Sequence, residues 1–116
     1  MLFVCYPKCS TCQKARKWLD ARGAAYEVRD IKEQRPTESE LRLWVKKSGL
    51  DVRRFFNTSG MQYRSLNLKE RLPAMSEDEM FALLASDGML VKRPLLITDD
   101  TVIPGFREES YAVAVK

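Results

Sequence analysis

The chain has 116 residues, 45% of them hydrophobic and 31% charged, with 20 Lys+Arg against 16 Asp+Glu for a net charge of +4. That is room for one compact domain of ordinary globular composition, and the signs alternate through stretches such as "YEVRDIKEQR", so the basic excess reads as a solvated surface and no direct DNA contact is expected. The opening "MLFVCYP" lacks the charged start and small-residue exit of a signal peptide, and no segment approaches the roughly 20 apolar residues of a membrane span.

In chain order, "LFVCY" is a short apolar run bounded by Pro7 and predicts a buried strand. Ala15, Trp18 and Leu19 then recur at helical spacing, with Lys14, Arg16 and Lys17 mostly off that stripe, and Gly23 ends the helix. Ser10 with Gln13 gives a capping-box signal at its start. "AAYEVRDI" alternates apolar and charged residues and predicts a second strand, parallel to the first through a right-handed crossover. Thr37 with Glu40 and Ser76 with Glu79 are further capping boxes, each opening a helix. Between them "DVRRFFNTSGMQYRSLNL" predicts short helical turns broken at "NTSG". "PLLIT" and "TVIPG" form a hairpin around Asp99–Asp100, and "REESYAVAVK" a closing helix. The order β-α-β, helical segment, β-β, α is the thioredoxin arrangement with extra helices inserted. It predicts an α/β fold of one domain spanning 1–116, with the helical insertion at about 36–88.

Cys9 and Cys12 are three apart where the first helix begins. Spacing alone leaves a redox couple, half a metal site or a packed pair. A structural zinc site usually takes four ligands, and the chain has no histidine and only one further cysteine, Cys5, so no metal is expected. Three cysteines, an odd number, also argue against a secreted disulfide framework and for a cytoplasmic protein. The absence of histidine removes the usual hydrolase base, whereas thiol exchange needs none. At a helix start the unpaired amides favour a thiolate, and Lys8 adds a charge next door. Cys9 is therefore the expected nucleophile, and Cys12, one turn further in, the expected resolving thiol. Cys5, mid-strand, reads as a small core hydrophobe. Pro94 opens a strand where thioredoxin-like folds place a cis proline against the active cysteine, and Arg93 before it would aim a guanidinium at Cys9.

Taken together, "YPKCSTCQKARKWL", "FFNTSG" and "KRPLL" followed by "VIPGFREE" resemble the arsenate reductase-like family of thioredoxin-fold proteins, nearest to its Spx/MgsR-type branch. The resemblance covers essentially the whole chain. It implies a three-layer fold with a mixed four-stranded sheet and an inserted helical subdomain. It also implies Cys9, Cys12 and Arg93 as the working residues, supported by Lys8, Ser10 and Pro94. Glutaredoxin-coupled arsenate reductases hold their oxyanion with three arginines. Arg93 matches one, Asn57 stands at the place of another, and the third falls near Gly105–Phe106. Spx-type regulators instead keep the CxxC as a switch and bind the C-terminal domain of the RNA polymerase α subunit, partly through a surface matching the loop at Ser48–Asp51. A monomer without a bound cofactor is expected, taking electrons from glutathione, another small thiol, or a glutaredoxin- or thioredoxin-type protein.

Overall fold

The structure, a computed structural model, describes residues 1–115; Lys116, the last residue of the expected closing helix, lies outside them. Strand β1 (Leu2–Cys5) pairs in parallel with β2 (Glu27–Asp30) and antiparallel with β3 (Leu95–Ile97), which pairs antiparallel with β4 (Val102–Pro104). The spatial order is β2-β1-β3-β4, a mixed four-stranded sheet. The parallel pair requires a crossover, and helix α1 (Ser10–Ala21) supplies it.

Alternation along the strands sorts side chains to two faces. Phe3, Cys5 and Leu96 pack with Cys12, Ala15 and Leu19 of α1 and with Tyr111 of α6 (Glu108–Ala114). Val4, Leu95 and Val102 face the other way, onto Ile31, Leu41, Trp44, Phe55 and Leu84. Most of that second layer comes from the segment between β2 and β3, which holds α2 (Glu38–Ser48), α3 (Met61–Ser65), α4 (Leu68–Arg71) and α5 (Glu77–Ser86). Helices, sheet and helices thus make three layers, a thioredoxin-like α/β fold. Each large aliphatic or aromatic side chain wholly buried between them contributes about 1.5–3 kcal/mol.

The two capping boxes of the inserted helices form as the sequence predicts. Thr37 Oγ1 accepts from the Glu40 amide at 3.1 Å while Glu40 Oε1 accepts from the Thr37 amide at 3.0 Å. Ser76 and Glu79 repeat the exchange at 3.1 and 3.0 Å. Glu40 also takes both terminal nitrogens of Arg29, at 2.6 and 2.9 Å, which ties α2 to β2. The box expected at Ser10 and Gln13 does not form. The helix N-cap is Cys9, with extended φ −85° and ψ 122°, so Ser10 is already the first helical residue. Gln13 Nε2 donates to the Pro7 carbonyl at 3.1 Å instead and holds the turn before the helix. That displacement by one residue puts a sulfur at the cap.

Candidate functional site

Three backbone features bring distant residues together at the end of α1. The Cys9 amide donates to the Tyr6 carbonyl at 3.0 Å, folding the 6–9 turn so that Cys9 stands at the helix entrance. A bridge between Phe56 and Val91 joins the 3-10 turn Val52–Phe55 to the chain before β3, with Lys92 N donating to Phe55 O at 2.7 Å and Asn57 N to Leu90 O at 2.8 Å. The Arg93–Pro94 peptide is cis, and Gly105 N donates to Pro94 O at 2.7 Å. Gly105 has φ +83°, a conformation that costs a residue with a Cβ, and its carbonyl accepts from the buried Tyr111 hydroxyl at 3.0 Å.

These contacts enclose a cavity of about 440 Å³ lined by Cys9, Arg54, Asn57, Lys92, Arg93 and Arg107, with Gly105 and Phe106 in its wall. Four cations and no carboxylate line it. Asn57 and Arg93 are there as expected. Arg107 stands next to Gly105–Phe106, where the family's third arginine falls, whereas nothing in the sequence marks Arg54 or Lys92. Arg54 sits about forty residues before Arg93, and the Phe56–Val91 bridge with its two flanking hydrogen bonds brings the two segments together. Arg93 rests its guanidinium 5.4 Å from the Tyr6 ring centroid and donates through Nη1 to Met89 O at 3.2 Å. Its Nε is buried and has no partner among the described residues. A buried donor left unpaired costs about 1–3 kcal/mol. Of the supporting residues, Pro94 is buried, whereas Lys8 and Ser10 are exposed at the surface of the turn and the helix start.

All three cysteines are free thiols, Cys9 partly exposed at the cavity, Cys5 and Cys12 buried. Burial pushes the Cys9 thiol up. The amides of Cys12 and Thr11, the Cys12 side chain and the charge of Arg93 outweigh burial and hold Cys9 below the ordinary thiol value. No side-chain capping hydrogen bond closes at Cys9, so the amides act chiefly as a favourable field for charge on sulfur. Cys12 is pushed far up, first by the neighbouring Cys5 and then by burial, and Tyr6 N donates to its Sγ at 3.4 Å. The arrangement offers one ionisable thiol facing a cationic cavity and one protonated thiol behind it. Among the described residues no group of three or more Cys, Asp or Glu side chains could hold a metal ion.

A wider, open groove of about 820 Å³ shares Arg54, Pro104 and Arg107 with this cavity and runs along β4 to Ser48 and Leu50. No helix among the described residues is long and apolar enough to cross a membrane.

A sheet of this order carrying a Cys at the entrance of α1 and a cis proline at the head of β3 defines a thioredoxin-like α/β protein. Within that class, the model of the ArsC family matches residues 5–114, and the chain belongs to that family. It is 54% identical over 111 residues to the uncharacterized protein YusI of Bacillus subtilis, covering 96% of this chain and 94% of the relative. Among solved structures it is similar to a putative ArsC family related protein from Bacteroides fragilis, with 50% identity, a TM-score of 0.96 and coverage of 97% and 95% of the two chains. A possible arsenate reductase from Streptococcus mutans follows, with 46% identity, a TM-score of 0.86 and 96% of each chain. More distant relatives include the regulatory protein MgsR of Bacillus subtilis, 26% identical over 106 residues covering 91% of this chain and 82% of the relative. The global transcriptional regulator Spx of Staphylococcus epidermidis is 22% identical over 103 residues, covering 89% and 77%.

Proposed function

We propose that the protein is a cytoplasmic, monomeric thiol–disulfide reductase acting on a small negatively charged substrate. The observation that carries this reading is the Cys9 sulfur, its pKa lowered, opening onto a cavity lined by four cations with Cys12 directly behind it. The Cys9 thiolate attacks a sulfur of the substrate and forms a mixed disulfide, releasing the other sulfur as a thiolate that takes a proton from water. Cys12 gives up its proton and attacks Cys9 Sγ. The Cys9–Cys12 bond forms, and the remaining half of the substrate leaves as its thiol. Two electrons have moved from the protein to the substrate, and two equivalents of glutathione or a glutaredoxin- or thioredoxin-type dithiol restore the couple. Arg93 stabilises the anion at each stage through charge-assisted bonds. An arsenic oxyanion would bind through the same negative charge but react at arsenic, in keeping with the possible arsenate reductase that the chain resembles. The Cys9 thiolate would displace an arsenic-bound hydroxyl, released as water. Attack of a second thiol on Cys9 Sγ would form the disulfide and release arsenite, arsenic taking the two electrons.

The test is turnover of a small anionic disulfide, and separately of arsenate, with glutathione and glutaredoxin as donors. Cys9→Ser abolishes turnover on this reading; a variant that keeps full activity contradicts it. A second reading, a redox-sensing regulator that grips the C-terminal domain of the RNA polymerase α subunit, is favoured by the similarity to MgsR and Spx. Capture of that domain in one redox state and not the other, without turnover, would select the regulator.

A further inference from the structure

Cys12 has a sulfur neighbour on each side. Its side chain packs in one cluster with that of Cys5 at the end of β1, and Cys9 packs against the same cluster from the cavity. The donor that fixes Cys12 Sγ, at 3.4 Å, is the amide of Tyr6, the residue that follows Cys5. Cys5 and Cys12 are 2% and 1% exposed and belong to one packed cluster, with Cys9 against its edge. The neighbouring Cys12 draws the Cys5 thiol down against the opposing effect of burial, and Arg16 helps. Neither the couple nor the cavity uses Cys5. A small core hydrophobe would explain its burial but not its place beside the residue that resolves Cys9.

We propose that Cys5 is a third redox-active thiol that exchanges for Cys9 in the bond to Cys12, moving the disulfide from the mouth of the cavity into the core. The proposal rests on the reading of Cys9 and Cys12 as a redox couple. A disulfide substrate first oxidises that couple. Cys5 then loses its proton to solvent and attacks Cys12 Sγ; the Cys5–Cys12 bond forms, the Cys9–Cys12 bond breaks, and the electron pair leaves on Cys9. Cys9 is the favoured leaving group because its thiolate is the one stabilised by the helix amides and Arg93. The step is an internal exchange and consumes no further oxidant. Its products are a disulfide sheltered from external thiols and a Cys9 thiolate again facing the cavity, ready to hold a second substrate as a mixed disulfide. Oxidation would then leave the protein in a state that small thiols reverse slowly.

The chain contains its own assay. Trypsin cuts after Lys8 and Lys14, so Cys5 leaves in the peptide MLFVCYPK and both other cysteines in CSTCQK. The full chain, reduced and then treated with stoichiometric diamide, is sampled over time, alkylated with iodoacetamide, digested and read by mass spectrometry. The proposal expects a bond within CSTCQK at early times, then loss of the alkyl label from Cys5 as the two peptides become joined, with the label now on Cys9. A label retained on Cys5 throughout, with only the bond inside CSTCQK, overturns the proposal and leaves the couple intact. A join through Cys9 also overturns it. Full labelling of all three cysteines overturns the couple as well. In Cys9→Ser, an isosteric change at a partly exposed position, diamide should join the two peptides directly, and a folded variant that does not join them counts against the proposal. Cys5→Val, close in volume, should retain the bond in CSTCQK and lose the join.

Discussion

The chemistry of this site is decided at one sulfur. The Cys9 thiol is held below its ordinary value, which enlarges the share of thiolate at neutral pH. Burial works against this, so the outcome depends on the helix amides and on Arg93. Replacing Arg93 with Ala removes the nearby charge and a donor whose bonds to an anion are each worth about 1.5–3 kcal/mol. The expected result is a kcat/KM lower by about 10- to 100-fold, together with a Cys9 titration shifted towards the ordinary thiol range. Steady-state kinetics on the anionic substrate and thiol labelling check the two effects separately. An unchanged titration would remove Arg93 from the account of the thiolate. Cys12 behaves oppositely for a reason equally local: the neighbouring Cys5 and burial both push its thiol up, so it waits as a thiol until Cys9 is oxidised.

At the scale of elements, short-range grammar governs most of what folds. The boxes at Thr37/Glu40 and Ser76/Glu79 are written within four residues, and the hairpin at Asp99–Asp100 within ten, so each is legible in the sequence. The start of α1 is the instructive exception. Ser10-x-x-Gln13 has the composition of a capping box, yet the turn 6–9 fixes the helix one residue earlier and gives the cap to Cys9. Glu40 shows how much a single element end carries. Its carboxyl is held down to about 2, first by Arg29, against burial and with help from Thr37. A folded-state pKa below the unfolded one contributes stability that is present above the unfolded value and lost as pH falls through the folded value. The Arg29–Glu40 contribution is therefore complete above about pH 4.3 and fades towards about pH 2. With 34% of the Glu40 side chain exposed, solvent screens the pair, and Glu40→Gln should cost only about 1 kcal/mol at neutral pH. Denaturant melts at pH 7 and near pH 2 should show that difference shrinking; an equal difference at both would contradict the ionic origin.

For the whole molecule, the decisive fact is that the cavity exists only when the inserted helices are packed on the sheet. Arg54 and Asn57 come from the insertion, Lys92 and Arg93 from the approach to β3, and Arg107 from beyond β4. Nothing at short range in the sequence announces that Arg54, Lys92 and Arg107 meet, nor that Cys5 touches Cys12, because tertiary packing sets these contacts. The CxxC, Arg93 and the order of elements were legible because each is carried by neighbouring residues or by strand and helix periodicity. Gly88 marks where the insertion closes onto the sheet: a Cβ there would stand 2.0 Å from the backbone oxygen of Ile31 at the end of β2. Gly88→Ala must push backbone against backbone, and a loss of about 1–3 kcal/mol is expected, visible as a lower thermal midpoint. Full stability in that variant would mean the insertion sits less tightly than described. Because the cavity spans this junction, its anion affinity should weaken in the same variant.

The start of α1 and Arg93 hold the Cys9 thiol below its ordinary value, while Cys12 is pushed up and stays protonated. The direct measurement is the rate of iodoacetamide labelling at Cys9 and at Cys12 in the reduced protein, followed by mass spectrometry across pH. A Cys9 labelling midpoint below the ordinary thiol value of about 8.5 is expected, with Cys12 almost unlabelled over the same range. A Cys9 midpoint at or above that value, or equal labelling of the two, would contradict it.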